Sequence, residues 1–213
     1  MDLIFFSDEA HFHLSRHVNK QNLRFWAQAQ PHEHVLRPLS VEKVTVWCAI
    51  GRNGIIGPYW SEDDNGRPVT VNTERYVEMM RRKFIPALRR KCGVDMNTVI
   101  YQQDGATPHT SNVSLEYLRR YFPGNRLISR RTDNPWPAYS PDLSPPDFFL
   151  WGYLKERVYH NNPQTIDALK ENIRREIRKI PREMLDRVIN NFNVRVAAVI
   201  QRRGAWIEHV INY

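Results

Sequence analysis

The sequence has little sulfur: Cys48 and Cys92 are the two cysteines among 213 residues. Their positions lack the paired spacing of a structural zinc site, and one pair is too few for a disulfide-built scaffold. Both are expected as free thiols, Cys48 inside a buried strand. No stretch of about 18 or more consecutive residues is apolar, so no transmembrane helix and no membrane partner are expected. The N-terminus lacks a basic segment followed by a long apolar run, so no secretory signal is expected either. Internal repeats and low-complexity tracts are missing. Acidic residues are in the minority, 23 Asp and Glu against 31 Lys and Arg, which gives a net charge of +8. A surplus of that sign suits a partner rich in phosphate.

What is present is a foldable chain. Hydrophobic residues make up 41%, enough to bury the core of one large domain or of a domain with a helical appendage. Leu3-Ile4-Phe5-Phe6 reads as a central strand. Phe12-His13-Leu14 and Leu23-Arg24-Phe25-Trp26 read as two short strands, and Val44 to Ile50 with Ile55 to Trp60 as a hairpin closed by Gly51-Arg52-Asn53-Gly54. Tyr76, Met80, Phe84 and Leu88 recur every four residues and predict a helix from Thr73 to Lys91, kinked or broken by Pro86. A strand over Thr98 to Gln103, a helix over Thr110 to Phe122 and a short strand at Arg126 to Ser129 come next. Arg130 to Pro146 contains five prolines and is expected to be irregular. From Asp147 the apolar spacing, with Trp151, Leu154 and Val158 marking the first apolar face, is helical to about residue 203, interrupted at Pro181.

Three acidic motifs punctuate this pattern. Phe6-Ser7-Asp8-Glu9 ends the first apolar run. Gln102-Gln103-Asp104-Gly105-Ala106 ends the strand near residue 100, with His109 close behind. Ser140-Pro141-Asp142-Leu143-Ser144-Pro145-Pro146-Asp147 leads into the final helices. Ser144 suits an N-cap and Pro145 the first helical position, which puts Asp147 in the first turn. Carboxylates at the ends of buried elements can converge on one point, and hard cations such as Mg²⁺ take ligands of this kind. Two such ions side by side promote in-line attack on a phosphodiester. Each acid alone also has an ordinary reading: Asp8 and Asp104 as turn formers, Asp147 as a complement to the helix dipole. Side chains alternate along an extended segment, so Glu9 faces away from Asp8 and reads as a supporting acid.

In this order the motifs resemble the catalytic domain of mariner-type DDE transposases. The likeness runs from Asp2 to about Ile207 and is strongest in Gln103 to Thr110 and in Tyr139 to Phe148. It implies an α/β, RNase H-like fold: a mixed central sheet flanked by helices, with a catalytic core at 1–160 and a helical C-terminal extension at 161–213. It further implies metal-dependent DNA cleavage and strand transfer, with Asp8, Asp104 and Asp147 as both catalytic and metal-binding residues. The cofactors implied are two Mg²⁺ ions, with Mn²⁺ as a substitute. The partners implied are double-stranded DNA, as transposon ends and target, and a second copy of the chain in a homodimer; the location implied is the nucleus.

Two departures from the family accompany the likeness. Its N-terminal helix-turn-helix modules are expected to be absent from these 213 residues. Between Asp104 and Asp147 lie 42 residues, more than the usual mariner spacing, and the surplus falls in Arg130 to Tyr139. Two other readings compete: a decayed or host-adopted copy that only binds DNA, and a different RNase H-like nuclease acting on RNA–DNA hybrids. The Ser-Pro-Asp-Leu-Ser-Pro-Pro-Asp block favours the transposase.

Several residues beyond the acids are candidates for DNA contact. His109 is placed near the active site by the resemblance, to meet a phosphate or orient a water, or else to serve as a hydrogen-bonded residue at a helix start. Arg130, Arg131 and Trp136, with Tyr139, make an aromatic and basic loop of the kind that stacks bases and clamps phosphates; packing of Trp136 on the last helices is the alternative. The arginines of the final helices read equally as a DNA-facing surface or as solubilising charge. His11, His13, His17, His32 and His34 fit no tetrahedral zinc spacing, and Asp63-Asp64 reads as a solvated turn.

Overall fold

The protein is described here by a computed structural model covering residues 3–14, 42–92, 96–205 and 207. The strand expected at Leu23 to Trp26 lies outside the described residues. Strand β1 spans Ile4–His13 and pairs antiparallel with β2 (Lys43–Gly51), which pairs antiparallel with β3 (Gly54–Trp60). On its other side β1 pairs parallel with β4 (Ile100–Gln102), and β4 parallel with β5 (Leu127–Ile128). The five strands therefore run in the order β3-β2-β1-β4-β5, a mixed sheet with β1 at its centre.

The expected central strand at Leu3 to Phe6 and the expected short strand at Phe12 to Leu14 are one strand. The polar residues between them do not end it because they alternate with apolar ones: Ile4, Phe6, Ala10 and Phe12 enter the core on one face, while Phe5 enters it on the other. Asp8 occupies an inward register of the first face.

Helices cover both faces. On one lie α1 (Thr73–Met79), a π-helical turn (Met80–Phe84) and α2 (Ile85–Cys92), together with α3 (Thr107–Thr110) and α4 (Asn112–Arg119). Tyr76, Met80, Phe84 and Leu88 pack there with Trp47, Tyr101, Leu115 and Phe122. The kink expected at Pro86 takes the form of that π turn. Proline has no N–H to give to the carbonyl four residues back, and the wider turn upstream absorbs the mismatch.

On the opposite face lie α5 (Trp151–Arg157), α6 (Ile166–Arg178) and α7 (Arg182–Gln201). Leu154, Val158, Leu169, Ile173, Leu185, Ile189 and Phe192 seal the sheet there. The expected stop at Pro181 separates α6 from α7, and Asn72 and Thr165 cap α1 and α6 through their side chains. Cys48 is a free, buried thiol in β2. Among the described residues no helix is long and apolar enough to cross a membrane.

Candidate active site

Three elements carry the three acids to one place. Phe6 pairs with Gln102 in parallel register, so Asp8 and Asp104 each lie two residues further along neighbouring strands that point the same way. Asp147 sits in a π-helical turn (Pro146–Leu150) that begins just after Ser144 and leads straight into α5. The Phe148 amide donates to the Ser144 carbonyl at 2.9 Å, so the helix starts where the Ser-Pro-Pro signal places it. Asp8, Asp104 and Asp147 all line one cleft of about 430 Å³, together with Gly105, Arg130, Trp136, Tyr139 and Ser144.

The acids feel one another. Burial, then the charge of Asp147 and then that of Glu9, hold the Asp8 carboxyl well above the usual carboxylate range, against the pull of a hydrogen bond from Trp151. Burial likewise raises Asp147, opposed by a hydrogen bond from Ser144 and helped by the charge of Asp104. Asp104 goes the other way: burial pushes it up, but His109 and the Ala106 amide outweigh that and leave it lowered. The adjacent Cys48 thiol, paired in register with Asp8, is raised by burial and by the charge of Asp8.

Each carboxylate is held by neighbours. Trp151 donates its indole N–H to Asp8 Oδ2 at 2.8 Å. His109 donates from Nδ1 to Asp104 Oδ1 at 2.5 Å and from Nε2 to Glu9 Oε1 at 3.1 Å, and the Ala106 amide donates to the same Asp104 oxygen at 3.1 Å. Burial lowers the His109 pKa, but the two carboxylates more than reverse this and raise it to about 10, so the ring is an imidazolium at neutral pH. Its ring lies 4.2 Å from that of Tyr76, whose hydroxyl donates to Gln103 Oε1. Gln103 Nε2 in turn donates to the His109 carbonyl and to Ser129 Oγ, which fixes the turn after β4.

This geometry corrects one expectation. His109 is 3% exposed with both ring nitrogens engaged, so it is closed to a DNA phosphate. It is a hydrogen-bonded residue at the start of a short helix that ties Asp104 to Glu9. Glu9 faces away from Asp8, as alternation requires, and becomes the far end of that tie. Arg130 is exposed and lines the cleft, its aliphatic stem packed closely against Gly105. Arg131 is exposed but is not part of the cleft wall; its carbonyl accepts from Arg119. Trp136 is half-buried, edge-on to Phe6 at 6.3 Å, with part of its surface in the cleft. Trp151, which the sequence marks only as part of an apolar face, is the functional residue that sequence reasoning misses. Its position four residues after Asp147 is the available signal, because side chains at that spacing share a helix face.

The donors fit hard divalent cations. All three are carboxylates, and their mutual repulsion is what a cation would relieve. Among the described residues no three His, Cys, Asp or Glu side chains stand close enough together to hold one metal ion, so the three acids share a cleft without forming a three-ligand site.

Comparison with known proteins agrees with this architecture. The chain is 29% identical over 145 residues to the Transposable element Tc3 transposase of Caenorhabditis elegans, covering 67% of this chain and 39% of that protein. The crystallised catalytic domain of Mos1 mariner transposase superimposes with a TM-score of 0.72 at 19% identity, over 97% of this chain and 85% of that one. The chain therefore shares the fold of a mariner transposase catalytic domain. The Mos1 transposase in its paired-end complex with the left transposon end gives a TM-score of 0.73 at 22% identity, over 97% of this chain and 57% of that one. No family model matches the sequence. The chain thus spans about two fifths of the curated relative it matches and little more than half of the Mos1 chain in that complex.

Proposed function

We propose that this chain cuts and joins DNA as the catalytic domain of a DNA transposase, using Asp8, Asp104 and Asp147 with divalent cations. The observation that carries the reading is the convergence of those three acids, from β1, the end of β4 and the start of the helix before α5, on one cleft. The likeness to Tc3 transposase supports the reaction class, and the Mos1 structures with Mn and with Mg support the metal class. The Mos1 complexes with transposon ends and after strand transfer support DNA as the partner.

In this reading Asp8 and Asp104 hold one ion, and Asp8 and Asp147 the other. When bound, the pair supplies charge neutralisation at the scissile phosphate and activation of the attacking oxygen. The chain's own residues do the positioning. Trp151 fixes the plane of the Asp8 carboxylate, and His109 with the Ala106 amide fixes that of Asp104. Arg130 at the cleft wall meets a DNA phosphate, and the net charge of +8 favours the approach of the duplex. Joining two ends at once implies a pair of chains, and chromosomal DNA as substrate implies the nucleus; both belong to the proposal.

The test is Mn²⁺- or Mg²⁺-dependent nicking of supercoiled plasmid by the wild-type chain and by Asp8→Asn, Asp104→Asn and Asp147→Asn. The expected result is nicking that needs the metal and is lost in each variant while the fold persists. Near-wild-type nicking by Asp104→Asn would sink the assignment. Cleavage confined to the RNA strand of an RNA–DNA hybrid would move the chain to another nuclease class.

A further inference from the structure

The proposed function accounts for the acids and for Arg130, but not for Tyr139. Its side chain is 94% exposed, the most exposed of the large hydrophobic residues described, yet it stands on the wall of the same cleft as Asp8, Asp104 and Asp147. Its backbone has φ of +54°, the left-handed region that a residue with a large side chain rarely adopts. Such a conformation persists only where the surroundings impose it, and here they do. Pro137 and Pro141 flank the residue at two positions on either side and restrict the chain. Ser140 Oγ donates to the Ala138 carbonyl, and the Leu143 amide donates to the Ser140 carbonyl. The loop is anchored further by Arg195, which donates from Nη1 to the Asp142 carbonyl at 3.0 Å.

The neighbouring aromatic of the same loop is spent differently. Trp136 packs edge-on against Phe6 and is half-buried, so most of its ring serves the core. Tyr139 offers both faces of its ring to solvent. A large apolar ring held out in water on the wall of a cleft that acids and an arginine also line is arranged for a flat apolar ligand attached to phosphate.

We propose that Tyr139 is a stacking platform for an unpaired nucleobase of DNA at the wall of the cleft, with Arg130 taking the adjoining phosphate. Stacking on an aromatic side chain is tolerant of base identity and belongs to single-stranded, not paired, nucleotides. The platform therefore selects DNA that is frayed or overhanging where it enters the site. The proposal rests on the reading of the chain as a DNA-cutting domain for its ligand, but not on cleavage for its test.

The experiment compares affinity for a duplex bearing an unpaired overhang, with 2-aminopurine in the overhang, and for the same duplex fully paired. It uses wild type, Tyr139→Ala, Tyr139→Phe and Tyr139→Trp in Ca²⁺, and the same preparations are assayed in parallel for Mn²⁺-dependent plasmid nicking. The expected result is a preference of wild type for the overhang of about 10-fold, with altered 2-aminopurine fluorescence. The preference falls to about one in Tyr139→Ala and is retained in Tyr139→Phe and Tyr139→Trp. An undiminished preference in Tyr139→Ala, no preference in wild type, or no DNA binding at all overturns the proposal. Overhang preference without nicking supports Tyr139 and counts against the nuclease reading; nicking without overhang preference does the reverse.

Discussion

Trp151 donates its indole N–H to Asp8 Oδ2 at 2.8 Å, across 143 residues of sequence. The same short stretch of helix that presents Asp147 therefore also holds the carboxylate of the central strand. Trp151→Phe keeps the apolar bulk and removes the donor. Metal-dependent nicking is expected to fall about 10- to 100-fold, the usual cost of losing an outer partner of a metal ligand. Stability should fall by only about 1–2 kcal/mol. Plasmid nicking at several Mn²⁺ concentrations, beside a urea melt, checks both.

Asp8→Asn should behave in the opposite sense for stability and activity. Asp8 is a buried acid among like charges, so its neutral amide relieves repulsion and still accepts from Trp151. In EDTA the variant is expected to melt later by about 2–4 °C, equivalent to about 1 kcal/mol for a chain of this size. Wild type should gain stability on adding Mg²⁺ or Mn²⁺, and the variant should gain little. Differential scanning calorimetry with and without metal reads both; an unchanged metal response in Asp8→Asn would remove Asp8 from the ligand set.

His109 predicts a pH dependence. Its pKa in the folded chain is raised from 6.5 to about 10, so its contribution to stability is fully present below about 6.5 and is lost as the pH rises through about 10. In EDTA, histidine NMR should show His109 still doubly protonated at pH 8. His109→Ala leaves Glu9 and Asp104 without their shared cation and should cost about 2–4 kcal/mol. It should also abolish the stability loss between those two pH values.

Arg195 is 1% exposed, unlike the other arginines of the final helices among the described residues. Its guanidinium lies 4.2 Å from the Phe148 ring centroid, next to Asp147, while donating to the Asp142 carbonyl and to Asn191 Oδ1. Arg195→Lys keeps charge but not the planar fork, and should cost at least about 1 kcal/mol; Arg195→Ala should cost about 3 kcal/mol or more. Both should speed limited proteolysis in the 130–146 stretch, which the arginine anchors from α7. Equal cleavage rates in wild type and Arg195→Ala would show that the anchor does not restrain the loop.

Much of this is legible without coordinates. The hairpin of β2 and β3, the apolar stripes of α6 and α7 and the Ser-Pro-Pro start ahead of Asp147 are local patterns, and local patterns survive folding. The convergence of the acids is legible only through the resemblance, since no spacing along the chain states that β1 and β4 are neighbours. The relations that escape are those between distant residues, which sequence carries without marking. Trp151 reads as core because a tryptophan can hide its ring and offer its N–H elsewhere. His109 reads as available to DNA because nothing near it in sequence shows that Glu9, 100 residues away, takes its second nitrogen. The arginines of the final helices look alike in sequence, and only tertiary packing sets Arg195 apart.

The helix that fixes both Asp147 and Trp151 also separates distance along the chain from distance in space. Once Ser144 starts that helix and Arg195 grips Asp142, the third acid is placed by its own helix and by the hold of α7, not by how many residues precede it. At the other end, the amides of Ser129 and Trp136 close a small bridge with the carbonyls of Asn134 and Ser129. The residues enclosed by that bridge, 130–133, can lengthen outward without moving a carboxylate. The long interval between Asp104 and Asp147 is therefore slack in the rope, and the knots at either end keep the site in register.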